Sequence, residues 1–79
     1  MKLLLFVEKI QDGKLWGRTS GVGGSFVTGY GDNLEGLLRN IRESMKKFQQ
    51  HEGKNDPLWR ALDIDAISFD IAIDDGGKR

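Results

Sequence analysis

The stretch GYGDNLEGLLRNIRESMKKF, residues 29 to 48, predicts an amphipathic helix that follows a glycine-containing turn. The side chain of Asp32 or of Asn33 can cap the first turn, and Asp32 would form a capping box with Glu35. Because Gly53 favours a helix end, we expect the helix over roughly residues 34 to 51. Its apolar residues recur with the roughly 3.6-residue period of an α-helix, at Leu34, Leu37, Leu38, Ile41, Met45 and Phe48.

Short apolar segments on both sides of this helix predict four β-strands. Residues 2 to 10, KLLLFVEKI, precede Asp12-Gly13, which favours a hairpin because both residues tolerate positive φ. Residues 15 to 20 and 25 to 30 are the second and third predicted strands, separated by the glycine-rich loop GVGG. Residues 65 to 74 alternate apolar and polar positions as a strand does. The connector PLWRAL before them fits one helical turn or an irregular segment.

These elements predict an α+β fold with the order β-β-β-α-β. One helix would pack on a four-stranded mixed sheet in the order 3-2-1-4, because a right-handed crossover places the last strand parallel to the first. We expect a single domain over residues 1–75 and a disordered tail over residues 76–79. On the central strand, Leu3, Leu5 and Val7 would face the helix.

The other face of the central strand predicts an oligomer contact. Leu4 and Phe6 would project from a side of the sheet that the single helix cannot also cover. Uncovered apolar surface of this kind usually marks an interface. We therefore expect a homodimer or a higher oligomer.

Composition excludes several classes of protein. The 79 residues hold twelve Lys or Arg and twelve Asp or Glu, so overall charge gives no reason to expect binding to nucleic acid or to an anionic membrane. With no cysteine, the chain can form neither a disulfide nor a thiolate zinc site. The apolar run at residues 3 to 7 is too short to span a bilayer. We expect a soluble, cytoplasmic protein that needs no cofactor.

The polar residues do not assemble a recognisable catalytic motif. Clustered carboxylates could hold the paired cations of a nuclease, but a solvated acidic strand edge is the simpler interpretation. The stretch GVGGSFVTGYG lacks the Lys-Ser/Thr that follows the glycines of a phosphate-binding loop. His51 is the only histidine and has no nucleophile beside it. We expect no catalytic residue and no metal site. The carboxylates concerned are Asp63, Asp65, Asp70, Asp74 and Asp75.

Two further features have both a structural and a functional interpretation. The helix carries a basic flank, which favours an ordinary solvated face over a nucleic-acid site because Glu35 and Glu43 dilute it. Trp16 and Trp59 could be anchors for a partner, since tryptophan is enriched at binding hot spots, or could pack in the core. The residues of the basic flank are Arg39, Arg42, Lys46 and Lys47.

The segments DGKLWGRT, GYGDN and NLEGLLRNIRESMKKF together resemble the N-terminal domain of HicB-family antitoxins. The resemblance covers about residues 2 to 50 and, more loosely, the strand near 67 to 73. Asn33 stands where the family usually has Thr, and Gly36 replaces a good helix former at a cost of about 1 kcal/mol. The resemblance is strongest at Gly31-Asp32, Leu34-Glu35 and Asn40-Ile41-Arg42-Glu43.

The resemblance implies a partial ribonuclease-H-like fold and a non-enzymatic function. A HicB antitoxin neutralises a small HicA-like, RNA-cleaving toxin by occluding its active surface. Many members also carry a C-terminal DNA-binding segment, but no second helical pattern follows here, so we expect no direct DNA binding. The candidate partner-binding residues are Asp65, Asp70, Asp74, Trp16 and Trp59.

Two alternatives remain open from the sequence. The same fold could be an inhibitor or structural module for another protein, for instance a phage-encoded inhibitor of a host defence nuclease. A small metal-dependent nuclease is the alternative from another class, since it would use the acidic C-terminal residues differently.

Overall fold

The computed structural model describes residues 1–74 and shows one main helix on a four-stranded mixed sheet. The sheet order is β3-β2-β1-β4, with β1 antiparallel to β2 and parallel to β4, so the predicted fold class and strand order are confirmed. The predicted disordered tail, residues 76–79, lies outside the described residues. The elements are β1 Lys2–Lys9, β2 Leu15–Thr19, β3 Thr28–Gly31, α1 Leu34–Gln50, α2 Pro57–Arg60 and β4 Ser68–Asp74, with 3₁₀ turns at Gln11–Gly13 and Ile64–Ala66.

The first hairpin forms where the sequence predicts it. Asp12 and Gly13 have φ angles of 67° and 74°, the left-handed conformation that Asp and Gly tolerate better than most residues. The turn is closed by the Ile10 N–H, which donates a hydrogen bond to the Lys14 carbonyl at 2.8 Å. This turn sets the pairing of β1 with β2.

The third strand begins three residues later than predicted. A turn between Val22 and Ser25, with two glycines at positive φ, occupies the start of the predicted segment. The Val27 N–H then donates to Thr19 Oγ1 at 3.1 Å instead of to a backbone carbonyl. A side chain therefore replaces one bond of the regular strand ladder at this point.

The main helix is capped by Asn33 and not by Asp32. Asn33 Oδ1 accepts a hydrogen bond from the Gly36 N–H at 2.8 Å, which satisfies one of the first-turn donors. At the other end the His51 N–H donates to the Lys47 carbonyl at 3.1 Å. The observed helix, Leu34–Gln50, agrees with the predicted span to within one residue.

The core lies between α1 and the sheet, as predicted. Leu5, Leu37 and Ile41 are completely buried. The segment after α1 completes the core with Trp59, whose ring centroid lies 4.5 Å from that of Phe48. The other buried apolar residues are Leu3, Val7, Val22, Val27, Met45, Ile64 and Ile67.

Two glycines of β3 allow the helix to lie close to the sheet. A Cβ atom on Gly29 would lie 2.5 Å from Asn40 Oδ1. One on Gly31 would meet the backbone nitrogen of Leu37 and lie 2.7 Å from its Cα. Since real Cβ atoms do not approach backbone this closely, glycine at position 31 sets the distance between α1 and β3.

Polar side chains of α1 also link the helix to the rest of the fold. Asn40 Oδ1 accepts a hydrogen bond from the Tyr30 N–H at 2.9 Å, on β3. Gln49 Nε2 donates to the carbonyls of Trp59 and Leu62 at 2.7 and 2.9 Å. Arg42 corrects the expectation of a wholly solvated basic flank, because it is partly buried and bonded to the chain before β4.

Candidate protein-binding face

No helix of residues 1–74 covers the face of the sheet opposite α1. The alternation along β1 directs Leu4 and Phe6 to this side, where they remain 39% and 37% exposed. The predicted placement of these two residues is therefore confirmed, while their role in oligomer formation stays a prediction. We call this surface the open face; it includes Lys2, Leu4, Phe6, Glu8, Trp16, Arg18, Asp70 and Ala72.

Arg18 organises the aromatic part of the open face. Its guanidinium carbon lies 5.1 Å from the ring centroid of Phe6 and 5.5 Å from that of Phe26. Both distances are within the range of cation–π attraction. The positive charge of Arg18 is therefore directed onto two rings of its own chain, which gives this part of the face a defined shape.

A shallow concavity of about 310 Å³ lies beside Arg18 on the open face. Phe6, Trp16 and Ala72 give it apolar walls, Glu8 contributes a carboxylate, and Arg18 contributes a guanidinium. Glu8 and Trp16 are direct cross-strand neighbours on β1 and β2. A carboxylate next to an aromatic ring suits an incoming Arg or Lys side chain, which can pair with the first and stack on the second.

Glu8 was not among the residues expected to bind a partner. Within the described chain it forms no ion pair, in contrast to Lys2, Glu35 and Lys46. A two-residue turn at Asp12-Gly13 would place Glu8 opposite Gly17. The observed loop has three residues, Gln11–Gly13, and therefore places Glu8 opposite Trp16. Neither residue suggests a site until this pairing is considered.

The structure separates the acidic residues that the sequence grouped together. Asp70 lies on the open face, where its carboxylate is 3.8 Å from Lys2 Nζ. Asp65 lies in the 3₁₀ turn before β4 and pairs instead with Lys46 of α1, at 3.0 Å. Asp74 ends β4 and is the register partner of Glu8. A single acidic surface containing both Asp65 and Asp70 is therefore not formed.

The two tryptophans have different environments. Trp16 is partly exposed on the open face, where a partner could reach it. Trp59 is 0% exposed, and its Nε1–H donates to the Val22 carbonyl at 3.1 Å. The expectation that Trp59 contacts a partner is therefore wrong, because its ring fills the core and its only polar group is already bonded.

The described residues form neither a metal-binding cluster nor a membrane-spanning helix. Among residues 1–73, no three His, Cys, Asp or Glu side chains come close enough together to hold a metal ion. None of the helices in this part of the chain has the length and apolar character needed to cross a membrane.

Comparison with known proteins adds no relative. The chain matches no protein-family model, and neither a curated protein nor a solved structure is found to be similar to it.

Proposed function

We propose that this protein is a non-enzymatic binding module that covers a basic surface of a partner protein with its open face. The observation that carries this proposal is the concavity in which Glu8 and Trp16 stand side by side among uncovered apolar residues. In keeping with the resemblance to HicB antitoxins, the partner would be a small RNA-cleaving toxin. A toxin that acts on messenger RNA is met in the cytoplasm, where the module would then act.

The apolar residues of the open face would supply the contact area, and the concavity would supply the specificity. Leu4 and Phe6 are apolar groups already exposed to water, so docking would remove their surface from solvent at no cost to the core. A partner's Arg or Lys side chain would enter the concavity, pair with Glu8 and stack on Trp16. Anchors of this kind, partly aromatic and partly charged, carry most of the binding energy at many interfaces.

Two carboxylates of the open face would suit a partner that binds RNA. A protein that cleaves RNA is basic where it holds phosphate groups, so an inhibitor that occludes that surface gains from carboxylates. Glu8 and Asp70 supply them on the open face, while Lys2 is drawn toward Asp70. The positive charge of Arg18 lies over the rings of its own chain.

The test begins with capture of partners from the cells in which the chain is produced, followed by purification of the captured protein. Calorimetry should show tight binding by the wild type and loss of about tenfold or more in affinity for Glu8→Lys. Glu35→Lys is the matched control, because it makes the same charge change on α1, away from the open face. It should leave the affinity within about twofold.

The activity of the captured protein decides its class. Cleavage of RNA that stops when wild-type module is added, and resumes with Glu8→Lys, supports the antitoxin function. A basic partner without RNA-cleaving activity that still requires Glu8 would instead support an inhibitor or structural module for another target. Equal losses of affinity with Glu8→Lys and Glu35→Lys would show that the open face is not the docking surface.

A further inference from the structure

The two edges of the sheet differ in how well they are protected. One edge strand, β3, has four residues, and its Tyr30 N–H donates a hydrogen bond to Asn40 of α1. The opposite edge, β4, has seven residues and contains neither proline nor lysine, the residues that commonly block an edge. No strand from residues 1–74 pairs with its outer side.

The strand register shows which backbone groups of β4 are free to pair. The Ser68 N–H donates to the Met1 carbonyl at 3.0 Å, so Ser68 directs its backbone groups toward β1. Because this direction alternates along a strand, Asp70 and Ala72 do the same. Phe69, Ile71 and Ile73 therefore present their N–H and C=O groups to the outside.

The side chains on this edge are also incompletely covered. Ile71 and Ile73 are the register partners of Leu5 and Val7, and so lie on the helix side of the sheet. The helix packs mainly against β3 and β2, however, and leaves them 37% and 55% exposed. Two β-branched residues thus stand beside an open edge, as in a strand that continues into another sheet.

We propose that a second copy of this chain pairs antiparallel along β4, with the two-fold axis at Ile71. The two four-stranded sheets then join into one continuous sheet. The outward groups of Ile71 bond to Ile71 of the second copy, and those of Phe69 bond to Ile73 on both sides of the axis. On the helix side these pairs bring only apolar side chains together.

The position of Asp70 selects this register among the neighbouring ones. An axis at Asp70 would place the two copies of Asp70 opposite each other. An axis at Ala72 would place Asp70 opposite Asp74. Like charges directly opposite one another destabilise a strand pair, whereas an axis at Ile71 places Asp70 opposite Ala72. The edge is thus self-complementary in the Ile71 register alone of the three.

This contact leaves the open face free. The sequence predicted that Leu4 and Phe6 hold the oligomer together, but that surface would then be unavailable to a partner. Pairing along β4 allows a dimer that presents two open faces. The inference does not depend on the proposed function, because it rests on the edge strand and not on Glu8 or Trp16.

Cross-linking tests the register directly, because the natural chain has no cysteine. A hydrogen-bonded antiparallel pair holds its Cα atoms about 5.5 Å apart, within the range of a disulfide. Under mild oxidation Ile71→Cys should therefore form a covalent dimer. The matched control is Ala72→Cys, one residue along the same edge, which lies opposite Asp70 and should remain uncross-linked. Cross-linking of Ala72→Cys but not of Ile71→Cys would overturn the register.

Light scattering over a concentration series tests the contact itself. The wild type should dimerise as its concentration rises, and Ile71→Lys should remain monomeric because lysine is a natural blocker of strand edges. Leu4→Lys is the matched control on the open face and should still dimerise, with circular dichroism confirming that both variants fold. A wild-type monomer at about 500 µM, or a dimer lost in Leu4→Lys and kept in Ile71→Lys, would overturn the contact.

Discussion

The guanidinium carbon of Arg42 lies 5.0 Å from the ring centroid of Phe69, so a cation–π contact links α1 to β4. The same guanidinium donates to the carbonyls of Ile64 and Ile67 at 2.8 and 2.9 Å. Its neighbour Asn40 accepts a hydrogen bond from β3, and Ile41 is buried in the core. The segment Asn40-Ile41-Arg42 therefore links the helix to the sheet and to the chain before β4, whichever partner the protein binds.

Arg42→Ala should lower the free energy of unfolding by about 2 kcal/mol or more. The change removes two hydrogen bonds from a charged donor and leaves two carbonyls in a partly buried site without that partner. Urea titration measures the difference. The control is Arg39→Ala, whose ion pair with Glu35 is exposed, so a change of less than about 0.5 kcal/mol is expected. Equal effects of the two substitutions would contradict the linking role of Arg42.

Ile41→Ala should lower the free energy of unfolding by about 2 to 5 kcal/mol, as for other large-to-small changes in a packed core. Ile41 is 0% exposed and lies midway along the buried side of α1. Ile41→Val removes a single methylene group at the same place and should cost about 0.5 to 1.5 kcal/mol. A loss below about 1 kcal/mol for Ile41→Ala, by urea titration, would mean that the helix does not face the sheet as described.

Replacing glycine by alanine should have opposite effects on the free energy of unfolding at Gly31 and at Gly36. Gly31→Ala places a Cβ against the backbone of Leu37, so we expect a loss of about 2 kcal/mol or more. Gly36→Ala meets nothing closer than Asn33 Oδ1 at 3.4 Å, an ordinary contact, and should stabilise the helix by about 0.5 to 1 kcal/mol. Thermal and urea unfolding of the two variants measure both effects. The same sign at both positions would contradict the close approach of α1 to β3.

Fluorescence should distinguish the two tryptophans. In Trp59→Phe the remaining Trp16 is partly exposed, so acrylamide should quench it readily and a bound partner should protect it. In Trp16→Phe the buried Trp59 should emit at shorter wavelength and be quenched poorly, with or without partner. Protection of Trp59 alone would place the partner on a different surface.

Asp70→Lys should weaken partner binding, whereas Asp65→Lys should not. Asp70 lies on the open face, and Asp65 lies in the 3₁₀ turn before β4, paired with Lys46 of α1. Added salt should weaken the wild-type complex as well, because it screens charges at the rim of an interface. Calorimetry at two salt concentrations measures these effects. A larger effect of Asp65 than of Asp70 would move the docking surface to the helix side.

The main helix, the four strands and their order follow from the sequence pattern. The hairpin at Asp12-Gly13 and the apolar side of α1 follow from local preferences, namely backbone conformation at a turn and the period of a helix. The strand order could also be predicted, because a helix that connects two parallel strands of one sheet forms a right-handed crossover. The pairing of Glu8 with Trp16 did not follow from the sequence, because the observed loop, Gln11–Gly13, is one residue longer than the two-residue turn that Asp12-Gly13 favours.

Which side chains are available to a partner depends on how the helix, the strands and the connecting segments pack together. This packing buried Trp59, moved Asp65 away from Asp70, and bonded Arg42 to carbonyls 22 and 25 residues further along the chain. Arg42 and Trp59 bond to distant backbone carbonyls, and Asp65 pairs with a distant lysine. Such contacts form only once the helix lies on the sheet, so no local sequence pattern predicts them. A tryptophan or an arginine has the same helix and strand preferences whether it faces solvent or the core, so its role emerges only from packing.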